Sequence, residues 1–466
     1  MSPPHRRHDP RIREDTEMKI RARGGAVRTA VMASVLSLAM AACGSGGDSS
    51  GGGDEQVSDA EVNAALEKGG TLTVWGWEPT LEQVVKDFEA EYPKVDVKLV
   101  NAGTGTDQYT ALQNAMSAGS GVPDVAQIEY FALSQFALGD SVTDLTAFGA
   151  GKLDGTFSPG PWSSVHSGDS IYGLPIDSGP MAMFYNKELF DKHDIDVPTT
   201  WDEYVDAARK LHKADPSAYM ASDTGDPGSA TSMIWQAGGK PFDVQGTKVS
   251  VDLADEGSQR FAQMWQPMLD ENLVAPITGW TDEWYKALGD GTIATLVTGA
   301  WMPITLESAV QAGAGKWRVA PMPQWEPGGE ATAENGGSSL VVPSASENQE
   351  LAYGFLEYAA VGEGVQARID GGAFPATVED QQSQEFQTKR FEYFGGQQAN
   401  KIFAESAADV VPGWSYLPYQ VYADSIYNDT VGKAYVSGVT LQQGLSMWQQ
   451  EIVTYGNEQG FEVGTD

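Results

Sequence analysis

The chain has 466 residues, 41% of them hydrophobic and 20% charged, with 29 Lys and Arg against 64 Asp and Glu for a formal net charge of -35 at pH 7. A single core stops growing at roughly 250–300 residues, so this length and composition call for at least two ordinary globular domains and not for a disordered chain. The acid excess argues against nucleic acid or an anionic lipid surface as partner, since both need basic patches; the single cysteine, Cys43, rules out an intrachain disulfide, and the five histidines show no metal-ligand spacing, so no metal or cofactor is expected.

Residues 1–42 hold eight Lys and Arg and four Asp and Glu, which leaves 21 against 60 in the remainder, a formal net charge of -39 there. Lys19, Arg21, Arg23 and Arg28 form a positive region ahead of the short apolar run Thr29–Ala42. That run falls short of the ~20 residues a bilayer span needs and reads as the apolar part of a signal sequence. Met40-Ala41-Ala42-Cys43 resembles a bacterial lipobox, with Met40 where Leu is usual. The resemblance implies cleavage before Cys43 and a diacylglycerol on its thiol. Gly44–Gly53 is Gly, Ser and Asp almost throughout, the composition of a flexible tether. Residues 1–42 are therefore read as a lipoprotein signal peptide and 43–69 as the lipidated cysteine with its tether.

Thr71-Leu72-Thr73-Val74-Trp75 alternates as a strand does, and Leu81, Val84, Val85 and Phe88 then recur at helical spacing up to Pro93. Val95, Val97 and Leu99 give a second strand and complete a β-α-β unit, the element of a parallel sheet. A helix over Tyr109–Ala118, closed by Gly119-Ser120-Gly121, and a strand over Asp124–Ile128 continue the alternation. Thr200 with Glu203 makes a capping box ahead of a stripe of Trp201, Tyr204, Val205, Ala208 and Leu211. Further strands are expected at Ile293–Val297 and Leu340–Val342, and helices at Gln259–Leu269, Gln349–Ala360 and Leu441–Tyr455.

In an open α/β sheet, ligands meet the loops at the carboxyl ends of the strands, here Gly76–Pro79, Glu129–Phe131 and the Asp177 region. These loops combine aromatics with acids. A sugar ring offers an apolar face that stacks on indole or phenol and an edge of hydroxyls that bonds to carboxylates and amides, so the combination suits carbohydrate.

Several stretches then resemble the extracellular sugar-binding proteins of ABC importers, the maltose-binding-protein-like family. They are Leu72-Thr73-Val74-Trp75, Ser117 through Val125, Tyr172-Gly173-Leu174-Pro175 running to Phe184-Tyr185-Asn186-Lys187, Pro198 through Glu203, Gly299-Ala300-Trp301, and Gly336 through Leu340. The resemblance spans about Thr71 to Tyr455. It implies a periplasmic-binding-protein-like α/β fold: two discontinuous lobes, 70–177 with 321–345 and 178–320 with 346–466, joined by hinge strands with the ligand cleft between them. The crossings are expected near Asp177-Ser178-Gly179, near Ala320-Pro321 and after Pro343. The implied function is capture of an oligosaccharide and its delivery to an ABC importer permease, by a monomer held at the extracellular face of the membrane by its lipid alone.

Carried residue by residue, the resemblance places Trp77 and Glu78 on the first-lobe wall, with core packing the competing use of Trp77. Glu129 and Tyr130 end the third strand, where Glu129 is expected to accept hydrogen bonds from sugar hydroxyls. Asp177 either binds sugar or holds the hinge. Trp301 is expected to stack on a sugar face, and Trp235, Trp280 and Trp414 are further cleft aromatics, whereas Trp284 reads as core. Asn335 and Gly336 precede the returning strand, where glycine lets backbone approach a ligand, although Asn-Gly is equally a surface turn.

Two other classes compete. A secreted glycoside hydrolase also uses paired carboxylates and aromatic subsites. A peptide or polar-solute receptor would need an arginine for the carboxylate end, and Arg209, Arg260, Arg318, Arg368 and Arg390, the five after Cys43, all lie off the expected cleft loops.

Overall fold

The computed structural model describes residues 56–222 and 225–465; Cys43, the leader and the Gly44–Gly53 stretch lie outside the described residues. The expected β-α-β start is present as the strand Gly70–Trp75, the helix Leu81–Glu91 and the strand Val95–Val100, the two strands parallel in register from Gly70↔Val95 to Trp75↔Val100. Leu81, Val84, Val85 and Phe88 are the buried face of that helix, as their spacing dictates. Val125–Glu129 adds a parallel strand on the other side, and the returning strand Ser338–Val341 pairs with it antiparallel before Leu174–Pro175 closes the five-stranded sheet.

A second, three-stranded antiparallel sheet has Met181–Asn186 in the middle, flanked by Thr295–Gly299 and Trp317–Pro321. Its central strand is buried on both faces: Met181 and Met183 enter one core cluster while Ala182 and Phe184 enter another. The two-residue period of a strand thus makes the second lobe a helix-sheet-helix sandwich. The capping box ahead of its helix Trp201–Ala214 is formed, Thr200 accepting from the Glu203 amide and Glu203 reaching back, worth about 1 kcal/mol.

Three boundaries differ from the sequence reading. Residues 43–69 are not all tether: Asp59–Lys68 is a helix with its own Ser58–Glu61 capping box, and it buries Val62 and Leu66 in the first core. The second crossing comes after Pro321. Met322 and Ala333 still pack in a second-lobe core, Gln324 bridges Thr200, and the chain leaves only at Glu334, which bridges Pro180. The third crossing also comes later, because the helix Gln349–Ala360 buries Leu351, Tyr353, Phe355 and Leu356 in the first core, so residues from 346 onward begin in the first lobe. Amphipathic period tells which face of a helix is apolar but not which of two cores receives it.

Candidate ligand-binding cleft

The two sheets meet where the chain crosses between lobes at residues 176–180 and 334–337. Gly179 and Asn335 lock these segments together, the Asn335 amide donating to the Gly179 carbonyl at 2.8 Å and the Met181 amide to Ala333 at 3.0 Å. A cavity of about 1020 Å³ opens beside this crossing, lined from both lobes.

On the first-lobe wall, the loop after Gly70–Trp75 is pinned from beneath. Gln127, 2% exposed, accepts the backbone amides of Trp77 at 3.0 Å and Glu78 at 3.1 Å through its Oε1. Trp77 lies edge-on to Tyr109 with centroids 6.1 Å apart, half-buried against the first core, so one face packs and the residue still lines the cavity. The Glu78 carboxylate is held by Thr80 at 2.5 Å and by a forked pair of bonds from Arg368, Nε at 3.2 Å and Nη2 at 3.3 Å. Arg368 also donates to the Ile176 carbonyl, is 1% exposed, and comes from the helix Gly364–Asp370. It lay off every expected cleft loop and yet stands directly behind the cleft carboxylate Glu78.

Glu129 ends its strand with Oε2 accepting from the Tyr109 hydroxyl at 2.8 Å, and burial holds its carboxyl above the ordinary range. Asp177 accepts the Ser338 amide at 2.5 Å; burial and then the Glu78 carboxylate push it up to about 7, against the pull of Arg368. Glu334 accepts from the Ser178 hydroxyl at 2.9 Å and the Gly179 amide at 2.6 Å, and burial raises it to about 8 despite those donors. Both therefore hold the crossing while lining the cavity, so at Asp177 the hinge and the cavity wall are one residue.

From the second lobe, Trp301 follows the strand Thr295–Gly299 and fixes its indole by donating Nε1 to the Asn335 carbonyl at 2.7 Å. Trp280 stands 5.6 Å from it, with ring planes 31° apart, so the two indoles form one aromatic wall. Asn335 turns its amide to Ser232 at 3.3 Å, and Gly336 sits at φ +82° where a Cβ would come 2.9 Å from Trp301 Nε1. Glycine is required there by the tryptophan.

Of the residues expected to meet a ligand, Trp77, Glu129, Asp177, Trp280, Trp301, Asn335 and Gly336 line this cavity; Tyr130, Trp235 and Trp414 do not. Tyr130 is 1% exposed and its hydroxyl donates to the Asp177 carbonyl at 2.6 Å, which makes it a brace for the crossing. Trp235 and Trp414 stack on each other at 5.2 Å and 6°, Trp235 donating to Val411 at 2.6 Å inside the second-lobe core. Their joint edge supports Tyr416, 6.0 Å from Trp414, and Tyr416 is the residue that reaches the cavity. Sequence reasoning also missed Gln420 and Asp424, one helical turn apart on Gln420–Ser425 and bonded at 2.9 Å; their four-residue spacing beside Tyr416 was the available signal.

Among the described residues, the wall carries six carboxyl groups, from Glu78, Glu129, Asp177, Asp226, Glu334 and Asp424, and no Lys, Arg or His. Burial raises Asp424 to about 7 as well. Asp177, Glu334 and Asp424, raised toward neutrality, can donate to hydroxyls as well as accept from them, and the described lining offers an anionic ligand no cationic side chain. Among the described residues, no group of three or more His, Cys, Asp or Glu is placed to hold a metal ion.

Residues 75–365 match the family described as bacterial extracellular solute-binding protein. The chain is 28% identical to an arabinooligosaccharide-binding protein of Halalkalibacterium halodurans over 60% of this chain and 64% of that protein, slightly under two thirds of its length. It is 25% identical to a lactose-binding protein of Rhizobium radiobacter over 72% of this chain and 82% of that one. Among solved structures, an ABC-transporter-associated binding protein from B. animalis subsp. lactis in complex with β-1,6-galactobiose is 44% identical, with a TM-score of 0.76 over 85% of this chain and 99% of that one. The lacto-N-biose complex of a galacto-N-biose-/lacto-N-biose I-binding protein from Bifidobacterium longum is 26% identical, with a TM-score of 0.75 over the same shares. With two discontinuous lobes, a cleft at their crossing and a family match over more than half its length, the chain belongs to the bacterial extracellular solute-binding proteins.

Proposed function

We propose that this protein captures a neutral oligosaccharide bearing a β-linked galactosyl unit and delivers it to an ABC import permease. The observation that carries the reading is the cleft wall itself: Trp280 and Trp301 on one lobe and Trp77 on the other, with carboxyls between them and no cationic side chain among the described residues that line the cavity. Stacking platforms bind the apolar face of a sugar, and carboxyls that both donate and accept take its hydroxyls. Galactose is suggested because β-1,6-galactobiose, lactose and lacto-N-biose, the sugars named for three of the similar proteins, each contain a β-linked galactosyl residue.

The lobes close on the sugar about the paired crossings, as hinged receptors do. Cys43 carries a lipid that holds a monomer at the outer face of the cytoplasmic membrane. The protein binds without cleaving: Asp177 and Glu334, the carboxyls most shifted toward neutrality beside the crossing, are committed to the Ser338 and Gly179 amides that hold the crossing. Titration calorimetry of the full chain with β-1,6-galactobiose, followed by recovery of the sugar, tests this. Saturable 1:1 binding with the disaccharide intact supports the receptor; cleavage supports a hydrolase, and response to peptides alone a peptide receptor.

A further inference from the structure

Beside Trp280 the second lobe contains another cavity, of about 570 Å³, lined by Tyr204, Trp265, Thr278, Trp284 and Asn428. It shares Asp226, Pro227, Trp280 and Asn335 with the cleft, so the two spaces adjoin along those four residues. Its size lies within the ~300–1,000 Å³ typical of ligand pockets. Among the described residues its composition repeats that of the cleft: aromatic faces, small hydroxyl and amide side chains, a carboxylate, and no Lys, Arg or His.

Two further features belong to its lining. Trp265 is 4% exposed, and its indole N–H has no partner among the described residues. A buried donor left unpaired costs free energy that a hydroxyl entering the cavity would return. Trp280 has φ +67°, a left-handed backbone that a bulky side chain rarely adopts, and its ring remains 52% exposed while leaning on Trp284 at 5.1 Å and Trp301 at 5.6 Å. Strained backbone of this kind persists where the surroundings enforce it, and it clusters at ligand clamps. Here it stands a large aromatic at the boundary of the two spaces.

We infer that this cavity is a side subsite that takes one further sugar unit, a third residue or a branch, of the oligosaccharide whose first units lie in the cleft. Trp280 then offers one face to each space, and the indole N–H of Trp265 bonds a hydroxyl of the unit inside. The inference rests on the reading of the main cleft as a sugar site. It makes the receptor select for oligosaccharides longer than a disaccharide.

Calorimetry of the full chain with β-1,6-galactobiose and β-1,6-galactotriose distinguishes the two readings. The trisaccharide is expected to bind at least about 10-fold tighter, the worth of one or two buried hydrogen bonds with stacking. Thr278→Phe, at an exposed position on the lining, and Trp265→Phe, which keeps a ring but loses the donor, should each shrink that preference to about 3-fold or less while leaving galactobiose affinity unchanged. Equal affinities for the two sugars in the wild type, or a preference that survives Thr278→Phe, would overturn the side subsite and leave the cleft reading intact. Failure of both sugars to bind would overturn the cleft reading and the side subsite with it.

Discussion

Trp301 and Asn335 belong to different segments of the chain, and the 2.7 Å bond from the indole Nε1 of one to the carbonyl of the other fixes the aromatic wall of the cleft to the crossing segment that leads into the returning strand Ser338–Val341. A cavity-lining indole is thereby tied to the hinge. Trp301→Ala should weaken sugar binding by roughly 30-fold, the equivalent of about 2 kcal/mol for a lost aromatic platform. Trp301→Phe, which keeps a face but loses the tie, should cost only a few-fold in affinity. Calorimetry measures both, and scattering on saturation should show compaction for the wild type.

Gly336 at φ +82° leaves space that Trp301 uses. Gly336→Ala adds a Cβ 2.9 Å from the indole nitrogen on a backbone hostile to side chains, and is expected to destabilise the protein by about 1–2 kcal/mol and to shift the tryptophan emission. Thermal melting and fluorescence read the two effects separately.

Arg368 with Glu78 forms a pair whose arginine is 1% exposed. Removing the arginine alone leaves a carboxylate without its partner, so Arg368→Met should cost about 3–5 kcal/mol of stability. The double variant Arg368→Met with Glu78→Gln should recover most of that loss in denaturant unfolding. Its sugar affinity should stay low, because the cleft has lost the carboxylate it presented.

The buried carboxyls set a pH dependence of definite sign. Asp177 at about 7 and Glu334 at about 8 bind protons in the folded state that the unfolded chain, with ordinary carboxyls near 4, releases. Between about pH 4 and 8 the folded state therefore holds more protons, and stability falls as pH rises through that window. Glu334→Gln, which keeps an acceptor for the Gly179 amide, should flatten the decline in melting temperature between pH 5 and 8.5. An unchanged slope would mean that Glu334 is ionised in the folded protein.

Trp235 and Trp414 provide the opposite control. Since they stack in the second-lobe core, Trp235→Leu should lower stability by about 2–4 kcal/mol while changing sugar affinity little beyond what Tyr416 transmits.

The strands and helices of the first lobe were legible because alternation and helical spacing there have no competitor: Gly70–Trp75, Leu81–Glu91 and Val95–Val100 lie within a residue or three of their sequence ranges. The cleft aromatics Trp77, Trp280 and Trp301 stood next to turn or strand-end signals. What could not be read was long-range. Nothing near Arg368 in sequence says that its guanidinium will sit behind Glu78, 290 residues away. Likewise the resemblance places Trp414 among the cleft aromatics, whereas Trp414 stacks on Trp235 and Tyr416 beside it lines the cavity in its place. Asp59–Lys68 was missed because two buried residues, Val62 and Leu66, are too few to mark a helix against a Gly-rich neighbour.

The central claim is that both lobes grip one neutral β-galactosyl oligosaccharide without cleaving it. Titration of the full chain with β-1,6-galactobiose, with the sugar recovered afterwards, tests it most directly. The account predicts a single site with a dissociation constant between about 10⁻⁵ and 10⁻⁸ M, roughly 7–11 kcal/mol, weakened roughly 30-fold in Trp301→Ala, and intact disaccharide at the end. Absence of binding by any β-galactoside, or release of free galactose, would contradict it.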